Sequence, residues 1–135
     1  MKLDKLLELG LIRRIPKSKE KAEESIKTAK VWLKEAENNF KNRSLRSCVL
    51  ASYLAMFHAA RAILFADGFR EKSHFAMARY LEDKWVKLLD YYREMRHGDQ
   101  YSTSFFVTEK EVQSALESAR SFVERMRKLL YSKSD

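Results

Sequence analysis

The chain reads as an all-α protein, an antiparallel up-and-down bundle of four main helices preceded by a short N-terminal one, on three observations. Only one Pro and three Gly interrupt 135 residues, and the apolar residues recur at helical rather than alternating spacing over long stretches. The third is the run from Cys48 to Gly68, CVLASYLAMFHAARAILFADG, which is apolar nearly all round. A helix of that kind belongs at the centre of a core.

Residues 3 to 12 form a short amphipathic helix ending near Gly10, and Pro16 opens a new element. From Ser18 to Asn42, Ala22, Ile26, Ala29, Leu33, Ala36 and Phe40 recur at spacings of four and three, a bundle-type seam. The central helix follows over 44 to 67. Ser44 is placed to cap its start, and Gly68 supplies the left-handed residue that ends it. The connection between these two helices is so short that they must be antiparallel neighbours. A third long helix is predicted from Ser73 to Arg93, with Met77, Leu81, Trp85 and Leu88 in its packing set. HGDQYSTSFFV, rich in Gly, Ser and Thr, is the one sizeable irregular segment. The last helix opens at Thr108, where Thr108 to Glu111 has the spacing of a capping box, and Val112, Leu116, Ala119, Val123, Met126 and Leu130 form its seam.

One domain over residues 1–135, with its core at about 18–130, suits this length, which closes a core without disulfides. Cys48 is the single cysteine, so there is no disulfide framework, and a reducing cytoplasm is the expected location. No secretory leader is expected from MKLDKLLELGLIRR, whose apolar residues are broken by acidic ones. The central run approaches the length of a membrane span, but Arg61 lies inside it and 34% of the chain is charged. It is read as a core helix, and no membrane partner is expected. The net charge of +8 favours a nucleic acid, a nucleotide or an acidic protein as partner, while solvated helix lysines such as Lys27, Lys30 and Lys34 account for part of the excess.

Metal and nucleophile chemistry find little support. The three histidines, His58, His74 and His97, are solitary, no phosphate loop or HExxH motif occurs, and no metal or cofactor is expected. Two groups of residues stand out instead. Tyr53, His58 and Arg61 are polar groups on the core helix, which must either find buried partners or face a cleft. Tyr91 to Tyr101 concentrates charge and aromatic rings at a helix-to-loop boundary. There Arg96 offers a planar fork for phosphate, Tyr101 can stack on a base, and His97 can titrate near neutral pH. On chemistry alone the simpler arrangement has Asp99 paired with Arg96, Tyr101 plugging the end of the bundle and Gly98 ending the helix.

Ala36-Glu37-Asn38-Asn39, the run Ala51 to Leu64 with its Tyr-x-x-x-Phe-His-Ala-Ala-Arg-Ala core, Lys72-Ser73-His74, and Arg96-x-x-Asp99-x-Tyr101 together resemble the HEPN superfamily. More narrowly, the chain is similar to the small stand-alone prokaryotic HEPN proteins paired with a minimal nucleotidyltransferase, over roughly residues 18 to 130. The resemblance implies a helical homodimer whose Arg motifs line one cleft, in a toxin–antitoxin-like pair with a nucleotidyltransferase antitoxin. For active members it implies metal-independent RNA cleavage by an Arg followed four to six residues later by a His. Five places after Arg96 stands Tyr101, and His97 is adjacent to Arg96, outside that spacing. Tyrosine ionises near pH 10 and is a weaker base than histidine at neutral pH.

Two readings therefore stand side by side. In one, Arg96 and Tyr101 are the catalytic pair of a ribonuclease or RNA-binding toxin, with Asp99 and His97 completing the ligand site and Tyr53, His58 and Arg61 supporting it from behind. In the other, the protein is a non-catalytic dimeric module that binds a nucleotide or a protein. A purely structural dimer with a vestigial cleft is a third. Dimerisation itself is expected because Trp85, Tyr91, Tyr92 and Phe105 are more aromatic surface than a monomer of this size exposes.

Overall fold

A computed structural model describes residues 3–73, 76, 77, 79 and 108–132. Among them are four fully bounded helices and a two-stranded ribbon: α1 (Leu3–Glu8), β1 (Ile12–Arg14), α2 (Lys19–Lys41), α3 (Leu45–Asp67), β2 (Phe69–Glu71) and α4 (Glu109–Ser132). The expected all-α class is borne out as a mostly helical fold, in which three of the four expected main helices and the short N-terminal helix are described.

Helix α3 is the centre. Fourteen of its 23 residues are buried, as an all-round apolar sequence requires, and it packs between α2 and α4. Long and apolar enough to cross a membrane by length and composition, it is instead mostly buried by its own protein. Cys48 is a packing residue there, fully buried, and burial pushes its thiol pKa up, away from thiolate chemistry. The α2 seam lies as predicted, with Ala22, Ile26, Ala29 and Ala36 buried and Leu33 and Phe40 packed against the core from its edge. Small residues at seven-residue intervals bring α2 close to α3. On α4 all six predicted seam residues are buried, and Ala115 and Phe122 join them.

The helix ends show how local sequence sets the chain's course. Ser18 caps α2 by accepting from the Lys21 N–H at 3.1 Å. Ser44 occupies the N-cap position of α3 but makes no side-chain capping bond among the described residues; the reversal is made by Arg43, whose φ of 63° is left-handed. At Thr108 the hydroxyl oxygen accepts from the Glu111 N–H and donates to Glu111 Oε1, each at 3.1 Å. The capping box thus closes through the hydroxyl, and among the described residues it satisfies one backbone donor where the motif predicts two. Of the third long helix, Ala76, Met77 and Arg79 are described and helical, and Ser73 Oγ accepts the Ala76 N–H at 3.1 Å. The rest of the segment expected to be helical lies outside the described residues, as do Trp85, Tyr91, Tyr92 and Phe105.

The ribbon departs from the sequence-based expectation of an all-helical chain with one helix over residues 3 to 12. Helix α1 stops at Glu8, and Ile12–Arg14 instead pairs antiparallel with Phe69–Glu71, with Ile12 opposite Glu71, Arg13 opposite Arg70 and Arg14 opposite Phe69. Bonds from the Lys72 N–H to the Leu11 carbonyl and from the Ile15 N–H to the Gly68 carbonyl, each 2.9 Å, prolong the ladder at both ends. The local cause is Pro16, which pushes Ile15 towards extended backbone, and Gly68, whose φ of 87° turns the chain back from α3. Three-residue strands are too short to show a period of two, so tertiary pairing decides them.

Candidate functional site: a basic rim around Arg61 and Arg70

The end of α3 carries a ladder at four-residue spacing. The ring of Tyr53 lies 6.3 Å from that of Phe57, and the Arg61 guanidinium stands 4.5 Å over Phe57. One turn further on, Phe65 is approached by Lys21 Nζ at 5.9 Å and by the Arg70 guanidinium at 5.8 Å. These are the distances at which a ring face attracts a cation, so three cations are held at one end of the bundle.

Arg61 is anchored by Glu71, delivered from β2 by the Gly68 turn. Its Nε donates to Glu71 Oε1 at 2.7 Å, and Nη2 lies 2.5 Å from the same oxygen. The side chains are 24% and 4% exposed, so the pair is largely desolvated. Because both nitrogens converge on one oxygen, Glu71 Oε2 is buried without a hydrogen-bond partner among the described residues. His58, half-buried, meets Phe57 edge-on at 5.5 Å. Burial first, then the Arg61 charge, lower its pKa, with Glu71 opposing, so the imidazole is neutral at pH 7.

Three adjoining hollows surround this cluster, and Arg70 lines them all. One of about 340 Å³ lies between α2 and α3, where Lys21, Thr28, His58 and Arg61 face Arg70; Glu24 is the acid on its rim. A second, of about 280 Å³, runs past Arg61 and Glu71 to Lys72 and Ser73. The third, of about 440 Å³, lies along the ribbon between Arg13 and Lys72. Among the described residues, the cations on these hollows outnumber the acids, and the charge of Glu71 is already matched by Arg61.

The predicted polar trio is therefore divided. Tyr53 is a core residue, 2% exposed; Arg61 has found its buried partner and also lines a hollow with His58. Arg96, His97, Asp99 and Tyr101 lie outside the described residues. Lys21, Arg70 and Glu71 were missed by sequence reasoning. The available signal was the demand of Arg61 for a carboxylate, and Glu71 is an acid just beyond the helix-ending glycine.

The Tyr-x-x-x-Phe-His-Ala-Ala-Arg ladder is the segment on which the family resemblance chiefly rests, and comparison with known families agrees. The HEPN domain pattern matches residues 22–129. The chain belongs to the HEPN domain family. A relative from Methanocaldococcus jannaschii, named "Putative toxin MJ0605", is 29% identical in a match covering 81% of this chain and 83% of that protein. The HEPN match begins at Ala22, early in α2, and runs to Leu129 near the end of α4, so it contains the basic rim except for the strand β1 and Lys21.

Proposed function

We propose that this HEPN protein is the toxin-like component of a two-protein system. It binds RNA or nucleotide through Arg96 in a homodimer cleft and acts in the cytoplasm with a nucleotidyltransferase antitoxin. The observation that carries this reading is the HEPN match over nearly the whole bundle together with the toxin-named relative of nearly equal extent. In it Arg96 holds phosphate through a charge-assisted fork, Asp99 orients that fork, and Tyr101 contacts a base or hydroxyl beside His97.

Cleavage, where it occurs, requires a base near Arg96 to take the ribose 2′-hydroxyl proton. Tyr101 stands five places after Arg96, within the spacing at which the family resemblance implies a histidine. This supports a second reading, a non-catalytic binding module, because phosphate binding needs charge and geometry but no proton acceptor.

The deciding experiment incubates the purified protein with labelled RNA in a chelator and compares it with Arg96→Ala. Cleavage by wild type that Arg96→Ala abolishes supports the ribonuclease; binding without cleavage, weakened by Arg96→Ala, supports the module. Cleavage or binding indifferent to Arg96→Ala overturns this placement of the site. Light scattering on the same sample should give a dimer of the 16.0 kDa chain.

A further inference from the structure

We propose that the three hollows joined at Arg70 form a track for the phosphodiester backbone of single-stranded RNA, at the ribbon end of the bundle and independent of Arg96. Two structural observations support it. The first is the set of cations: Lys21 on the α2–α3 hollow, Arg70 common to all three, and Lys72 and Arg13 on the ribbon, beside Arg61, whose charge is matched by Glu71. A polyanion with closely and evenly spaced charges fits hollows in series, whereas one isolated anion needs only one of them.

The second is the ribbon register. Arg13 stands directly opposite Arg70, and like charges at facing positions of an antiparallel pair repel. Both line the hollow along the ribbon, and a phosphate lying there relieves that repulsion. Lys21 and Arg70 each lie against the Phe65 ring, at 5.9 and 5.8 Å from its centre, and both line the α2–α3 hollow. Glu24, on the rim of the α2–α3 hollow, is an opposing charge that steers the backbone towards the Arg70 side.

The test compares wild type with the double variant Arg13→Gln, Arg70→Gln by fluorescence anisotropy of a labelled single-stranded oligoribonucleotide over a salt series. The double variant should weaken binding by about tenfold or more, and the slope of log K against log salt should become shallower by about 0.7 for each phosphate no longer neutralised. The paired change to Lys should retain most of the slope, because it keeps the charge. Relief of the like-charge pair offsets the loss of the Arg70–Phe65 contact, so the thermal midpoint, measured alongside, should stay near that of wild type and a loss of binding is then not a loss of fold. Unchanged affinity and slope overturn the track, and so does binding of inorganic phosphate or a mononucleotide as tight as that of the oligomer. Arg96→Ala, measured in parallel, separates the two sites: if it alone abolishes binding, the track falls and the Arg96 reading stands.

Discussion

Arg61 places two of its nitrogens, Nε and Nη2, on a single oxygen of Glu71, at 2.7 and 2.5 Å, and leaves the other oxygen of that carboxylate buried without a partner among the described residues. The pair joins the core helix to the ribbon, and its asymmetry leaves part of the guanidinium uncommitted at the edge of two hollows. Removing Arg61 strands an uncompensated buried charge. Arg61→Ala should cost about 3 kcal/mol, the low end for a buried pair because Arg61 keeps some contact with water. Glu71→Gln, which keeps an acceptor for Arg61, should cost less, about 1–2 kcal/mol. Urea unfolding of the two variants checks both the size and the order.

Gly68 and Gly10 make a matched comparison. Both are left-handed, at φ 87° and 70°, where any other L residue is disfavoured by about 1–2 kcal/mol. A Cβ on Gly68 would also lie 3.0 Å from the Ile15 carbonyl oxygen and 3.0 Å from Lys17 Cγ, while at Gly10 it would meet nothing within 4 Å among the described residues. Gly68→Ala should therefore destabilise more than Gly10→Ala, and only Gly68→Ala should disturb the Arg61–Glu71 pair. Thermal melts of the two variants give the difference directly.

The closeness of α2 and α3 depends on alanine. Ala29 is fully buried in the α2 seam, and Ala29→Leu adds three carbons where there is no room, which should cost about 1–3 kcal/mol by overpacking. Val31 is 67% exposed on the same helix, so Val31→Leu should change stability by less than about 0.5 kcal/mol. Denaturant midpoints that moved equally would contradict the packing described for α2.

His58 makes stability depend on pH. Its folded pKa lies below the ordinary 6.5 because burial and Arg61 disfavour the imidazolium, with Glu71 opposing. Lys21 and Glu24 from α2 and Arg70 from β2 also face its hollow. The unfolded chain thus binds more protons below about pH 6.5, and stability rises with pH in that range. As pH falls through 6.5 the His58 contribution is progressively lost, down to its lowered folded pKa. His58→Gln should flatten this part of the profile, measured as unfolding free energy between pH 5 and 8.

The sequence made the bundle legible where a pattern repeats over many residues. The α2 and α4 seams, the burial of α3 and the stop at Gly68 follow from helical spacing and from the one residue type that enters left-handed backbone without strain. The ribbon was not legible, since Ile12–Arg14 and Phe69–Glu71 are too short to carry a period. Ser44 shows the same limit at a helix end. Its residue type suits a cap, but Arg43 makes the turn instead.

The need for a partner to Arg61 was readable, because a guanidinium inside an apolar helix cannot stay unpaired. Its identity was not. Glu71 reaches Arg61 only because Gly68 reverses the chain and the Ile12–Arg14 strand holds β2 in place, a relation between segments far apart in sequence. What the sequence by itself determined is therefore the three long helices α2, α3 and α4 and the family to which they belong, since both rest on local residue type and spacing. Tertiary structure alone decided which cations share a surface. Lys21, Arg61, Arg70 and Arg13 come from four elements, and electrostatics depends on their distance in space, which chain packing sets.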